Sequence, residues 1–147
     1  MEKLYIKDNI LHIDDGKQYY VIELDAMDLV STDCFVISIK LYNGKQAILH
    51  LDRDKHVEEF DALSKLLTEH NNFYQCSGAV VINLQALNDV WLDETPNKFG
   101  YYSIKLKFGE RVAGIISKNL EGQIKATNEI IEAKQYYDKS RMAVEVN

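Results

Sequence analysis

The densest group of chemically capable side chains in the chain is His50-Leu51-Asp52-Arg53-Asp54-Lys55-His56, where imidazoles and carboxylates stand close enough to suggest a hydrolytic metal centre built on His50, Asp52 and His56. Arg53 and Lys55 sit inside the group, and no third anchor has the spacing of a metal-binding motif. The segment reads as the end of a strand and the cap of a helix. His12 beside Asp14 and Asp15 reads as a solvated strand and turn. Cys34 and Cys76 are far apart and without metal-like spacing, which marks them as small, partly buried thiols. Nucleophilic catalysis needs a Ser or Cys held by a base, and there is no Gly-x-Ser-x-Gly turn. None of the seven glycines gathers into a phosphate-cradling loop before a helix, and Glu58-Glu59 is ordinary helix surface. The expectation is a protein that is not an enzyme, with no catalytic residue, cofactor or metal.

Binding chemistry is better represented. Lys40, Tyr42 and Lys45 in one segment, and Tyr101, Lys105, Lys107 and Arg111 in another, interleave aromatic rings with positive charge. Projected outward from a sheet, that combination stacks unpaired bases and neutralises phosphates. It is equally the composition of a solvated sheet face. A second group is apolar: Tyr136, Tyr137, Met142 and Val144 near the end of the chain, with Trp91 beside an insertion, have the composition of a protein interface.

The elements that position these groups follow from an internal repeat. Val21-Ile22-Glu23-Leu24-Asp25-Ala26 aligns with Val81-Ile82-Asn83-Leu84-Gln85-Ala86, Val30 with Val90 and Asp33 with Asp93. After a five-residue insertion at Glu94-Thr95-Pro96-Asn97-Lys98 the register resumes, with Ser38-Ile39-Lys40-Leu41 matching Ser103-Ile104-Lys105-Leu106 and Gly44 matching Gly109. Such self-similarity fixes the symmetry of a fold. Each copy has a strand-like apolar run (21–30, 80–92), then period-two alternation (35–42, 101–108) that turns Ile37, Ile39 and Leu41, or Tyr102, Ile104 and Leu106, towards the core. Asn43-Gly44 predicts a type I′ turn, and Phe108-Gly109 a weaker one. Return strands follow at 46–51 and 111–116.

A helix closes each copy. Asp52 or Asp54 caps the first, whose stripe is Val57, Phe60, Leu63, Leu66 and Leu67; Ser117 or Asn119 caps the second, with Leu120, Ile124, Thr127, Ile130 and Ile131. Two extra strands, 3–7 and 10–14, precede the first copy, and 71–77 reads as a connection. The fold class is therefore α+β: tandem strand, hairpin and helix units with antiparallel sheets packed against two helices, divided as 1–73 and 74–147, either as two lobes or as one compact domain.

Size and composition fit this plan. The chain has 147 residues, 46% of them hydrophobic and 27% charged, and one proline, Pro96, so no Pro-rich linker divides it. The net charge of −6 falls entirely on residues 1–73, which weighs against general nucleic-acid binding. No stretch reaches the roughly 18 apolar residues of a membrane helix, and the charged N-terminus has no apolar signal core, so a cytoplasmic location is expected.

Residues 4–67, through Tyr5-Ile6-Lys7, Leu11-His12-Ile13, Val21-Ile22-Glu23-Leu24, Ile37-Ser38-Ile39, Asn43-Gly44-Lys45 and a closing helix with Phe60 and Leu63, resemble small bacterial pleckstrin-homology-like domains. The resemblance implies a non-catalytic module for protein contacts, oligomerisation or membrane association, and assigns no site residue. The combined expectation is a binding or assembly module acting through protein contacts, with itself or another protein as partner. The alternative is single-stranded nucleic-acid binding through the Lys and Tyr hairpin faces.

Overall fold

A computed structural model describes residues 3–33, 35–51 and 55–146, with the side chains of His56 and of residues 143–146 outside the description. The described residues form an α+β structure of eleven strands in three antiparallel sheets, with two α-helices. The chain divides into two compact units, Met1–Ala86 and Leu87–Asn147.

The first unit opens with a meander. β1 (Lys3–Lys7), β2 (Ile10–Asp14) and β3 (Tyr19–Glu23) form a three-stranded sheet. Asp8 and Asn9 both have positive φ, as a two-residue type I′ hairpin requires. A single 3₁₀ turn at Leu24–Ala26 breaks the apolar run expected to be one strand, and β4 (Met27–Asp33) starts beyond it. β5 (Val36–Leu41), β6 (Gln46–His50), the helix α1 (His56–Thr68), β7 (Phe73–Cys76) and β8 (Val80–Asn83) complete the unit. The larger sheet has the order β6-β5-β4-β8-β7. Alternation puts Ile37 and Ile39 on its inner face, where they pack with Leu11, Ile13 and Ile22 from the small sheet and Phe60, Leu63 and Leu67 from α1. Leu41 is half-buried at the margin of that core.

The second unit repeats the meander and helix. β9 (Asp89–Asp93), β10 (Tyr102–Phe108) and β11 (Arg111–Ser117) form a sheet of order β11-β10-β9, as β6-β5-β4 does in the first, and α2 (Leu120–Val146) follows. Ile104, Leu106 and Phe108 are buried on one face. α2 packs against β9 and β10 and buries Gln123, Thr127, Ile130 and Tyr137, a stripe at helical spacing. Gln123 fixes the crossing by donating its amide to the carbonyls of Tyr102 (3.0 Å) and Ile115 (2.8 Å). The Asn119 carboxamide oxygen accepts the Gly122 N–H at 3.0 Å, capping the helix, while Ser117 Oγ accepts the Asn119 N–H instead.

Several expectations are revised. Residues 71–77 are not a bare connection: β7 pairs with β8, and β8 pairs with β4 through Leu29↔Ile82, Val30↔Val81 and Ser31↔Val80. Cross-strand hydrogen bonding thus draws the start of the second repeat into the first unit's sheet, and the boundary between units falls after Ala86 rather than after residue 73. The run 80–92 is interrupted at 84–88, where the Asn88 N–H bonds to the Lys107 carbonyl. The Asn43-Gly44 turn is not type I′. Only Gly44 has positive φ (82°), and the Leu41 N–H bonds to the Lys45 carbonyl across a three-residue loop, the type I turn with a left-handed glycine. Gly109 (φ 62°) opens a two-residue loop with the φ signs of type II′. The capping role expected of Asp52 or Asp54 lies outside the described residues.

Candidate functional site

In the second unit, the sheet face opposite α2 is open. Pairing sets three rows across it: Asp89, Lys107 and Val112; Trp91, Lys105 and Gly114; Asp93, Ser103 and Ile116. Trp91 is 40% exposed and Ile116 61%, and Val112 and Lys107 also face solvent. Trp91 and Lys105 are direct cross-strand partners, near enough for a ring and a lysine stem to touch. Gly114, third in their row, adds no side chain, and the Ser103 hydroxyl lies over it, 2.9 Å from where a Cβ would stand. Beyond the last row, the Lys118 ammonium lies 5.1 Å from the centroid of the Tyr101 ring. Aromatic, aliphatic and cationic groups therefore share one surface.

The sequence-predicted groups are distributed unevenly over the structure. Tyr101, Lys105 and Lys107 stand on this face, but Arg111 does not: it pairs with Phe108, whose side chain points into the core, so the alternation of β11 carries Arg111 to the α2 side. Lys40, Tyr42 and Lys45 are exposed on the β5–β6 hairpin of the first unit. There the row beside Lys40 contains Leu29, which is buried, and the adjoining strand contributes buried Ile82. Asp33 closes the same face opposite Val36. The first copy thus has Lys40, Tyr42 and Lys45 at a hairpin margin, beside a sheet face that carries buried Leu29 and Ile82 where the second copy carries Trp91. The two copies are alike in the core and unlike in what they expose.

The expected apolar cluster is not assembled. Tyr136 is 76% exposed, whereas Tyr137, one residue on, is buried at 8%, with Lys134 Nζ 5.8 Å from its ring. Trp91 occupies the sheet face turned away from α2 and so cannot join Tyr136 and exposed Met142 in one patch. The side chain of Val144 lies outside the described residues.

The remaining reactive groups are scattered. Exposed His50 shares an open groove with Asp15, Lys17, Gln18, Tyr20 and Ile48. Asp52 and the His56 side chain lie outside the described residues, as does Cys34; Cys76 is buried. Among the described residues no group of three or more His, Cys, Asp or Glu side chains is placed to hold a metal ion. No helix among them is long and apolar enough to cross a membrane.

One cluster gave no signal in the sequence. On the outer face of β1–β3 the Tyr5 ring stacks on His12 (4.5 Å between centroids, 6° between planes), His12 Nδ1 is 2.8 Å from the Tyr19 hydroxyl, and the Tyr5 and Tyr19 hydroxyls are 3.3 Å apart. Only the register Tyr5↔His12 together with Asp14↔Tyr19 shows that these residues meet.

No family model matches the chain. No curated protein matches it either. Among solved structures, it is similar to the LytTr DNA-binding domain of a putative methyl-accepting/DNA response regulator from Bacillus cereus, at 7% identity and a TM-score of 0.47, over 85% of this chain and 98% of that one. The pleckstrin-homology-like resemblance is not upheld. β7 and β8, which follow α1, complete the sheet of a unit that the resemblance had ending at residue 67. The assembly reading is corrected by the geometry: the side chains expected to form a protein interface lie apart, with Tyr137 buried and Trp91 on the sheet face turned away from α2.

Proposed function

We propose that the chain binds single-stranded nucleic acid through the open sheet face of its second unit. The observation that carries this reading is the pairing of Trp91 with Lys105 on an exposed, α2-free surface, extended along β10 by Lys107 and by the Lys118–Tyr101 contact. Unpaired bases have two apolar faces and a charged backbone, and a ring beside an ammonium group satisfies both at once. A protein partner fits less well, because the core of a protein interface is depleted of lysine, and here Lys105 occupies the central row. A duplex hides its base faces and so could use only the lysines.

The reading is tested by fluorescence anisotropy with a labelled oligothymidine at about 50 mM salt, a concentration at which phosphate contacts are little screened. Trp91→Ala is expected to weaken binding by about 1–3 kcal/mol, the value of one stacked base. Lys107→Gln is expected to weaken it less, and to flatten the dependence on salt by about 0.7 in the log–log slope. Wild-type protein that leaves the oligonucleotide free at this salt refutes the reading.

A further inference from the structure

We infer that the loop at residues 94–100, lengthened by the insertion, is an additional stacking station of this single-stranded site, with Phe99 receiving an unpaired base and Lys98 its phosphate. The inference rests on the reading of the β9–β11 face as a nucleic-acid surface, and it says how far along the strand that surface reaches. The first copy passes from Asp33 to Val36 almost directly, whereas the second interposes eight residues between Asp93 and Tyr102. That added segment is built firmly. The Asp93 carboxylate accepts the Thr95 N–H (3.0 Å), and Asn97 Oδ1 accepts the N–H groups of both Phe99 (2.9 Å) and Tyr101 (3.0 Å). The Asn97 N–H returns to the Tyr101 carbonyl at 2.9 Å, and Gly100 supplies the positive φ (83°) that closes the turn.

A loop held this tightly has little conformational entropy left to lose on binding. It nevertheless leaves Phe99 66% exposed, a placement that folding alone does not favour. The Lys98 ammonium lies 5.0 Å from the Phe99 centroid, nearly the distance between Lys118 and Tyr101. The same ring and cation pairing thus occurs twice within a few residues, and the loop's backbone bonds anchor the second pair to Tyr101 of the first. A strand stacking on Trp91 and Tyr101 meets Phe99 next, so affinity rises with oligonucleotide length until that third ring is reached.

The test uses the full chain and oligothymidines of increasing length, with anisotropy as the readout. Phe99→Ala is expected to lower affinity for the longer oligomers about 5- to 150-fold, the range for loss of one stacked base, and to leave the shortest bound oligomer unaffected. Phe99→Trp is expected to restore the length dependence. Phe99→Leu, apolar but without a π face, is not, and this separates stacking from support of the loop. If Phe99→Ala binds every length as wild type does while Trp91→Ala is weakened, the loop lies outside the site and the inference is overturned with the surface intact. If neither substitution matters, the surface reading falls and takes the loop with it.

Discussion

Tyr5, His12 and Tyr19 show how much a few side chains can depend on strand pairing. Each sits on a different strand, and the meander brings them into a chain of contacts that none of them signals alone. The Tyr5 hydroxyl beside Tyr19 holds the Tyr19 phenol above the usual tyrosine value, with smaller contributions from desolvation and from the negative charge of Asp14. A group whose value is raised in the folded protein lends its stability while protonated. The hydrogen bond is therefore fully present below about pH 10 and is lost as the pH rises through the folded value. Tyr5→Phe removes the first of these causes, so tyrosinate absorbance in an alkaline titration should appear earlier for one residue than in the wild type. A curve that differs from the wild type only by the lost Tyr5 amplitude assigns the shift to desolvation and Asp14 instead. Trp91 carries a related lesson. Its strand and its exposure follow from its neighbours in sequence, but its partnership with Lys105 is a fact of register, invisible until β9 and β10 are paired.

At the scale of the element, β8 ties the two halves of the duplication together. Its last residue, Asn83, is buried and donates its amide to the Met27 carbonyl at 2.7 Å, where the β4 ladder slips register between Met27 and Leu29. Its oxygen accepts from the Asn72 side chain (3.0 Å) and from the Gln85 N–H (3.1 Å). Asn83→Ala leaves all three groups without that partner, two of them backbone groups, and each buried group so orphaned costs roughly 1–3 kcal/mol. Urea denaturation should show a loss of at least that size; a loss below about 0.5 kcal/mol would mean that water replaces the amide. The aligned residue of the first copy is Glu23, exposed at the end of β3. This pair explains what was legible in the sequence. Alternation marked Ile37, Ile39, Ile104 and Leu106 as core because period two is a local property. The turn at Asn43-Gly44 was located correctly and typed wrongly, since a left-handed glycine suits both loop lengths. That β7 and β8 join the first unit was not legible, because long-range pairing leaves no periodicity of its own. The Lys and Tyr face was half legible: parity puts Lys105 and Lys107 outward, Arg111 is placed only by its nearness to the turn and pairs there with Phe108, and nothing local shows that the first copy's equivalent face is occupied by Leu29 and Ile82.

At the scale of the whole molecule, charge is divided along the same line as structure. Residues 1–86 carry 8 basic and 14 acidic side chains and account for the net −6, while residues 87–147 carry 9 of each. The proposed site therefore lies in a neutral unit of an acidic protein, and a polyanion approaching it is not steered by the overall field. Affinity must come from short-range contacts: stacking, plus the phosphates met by Lys105, Lys107 and Lys118, with Lys98 added if the loop takes part. Three or four phosphate contacts on a single strand give a slope of log affinity against log salt of about −2 to −3. A protein relying on a broad basic surface gives a much steeper one. The expected result is a shallow salt dependence with residual binding at moderate salt, and poor competition by duplex DNA of the same length. A slope steeper than about −5, or duplex competing as well as single strand, would show that backbone charge and not exposed bases is recognised, and would move the search from Trp91 to the lysines of the first unit.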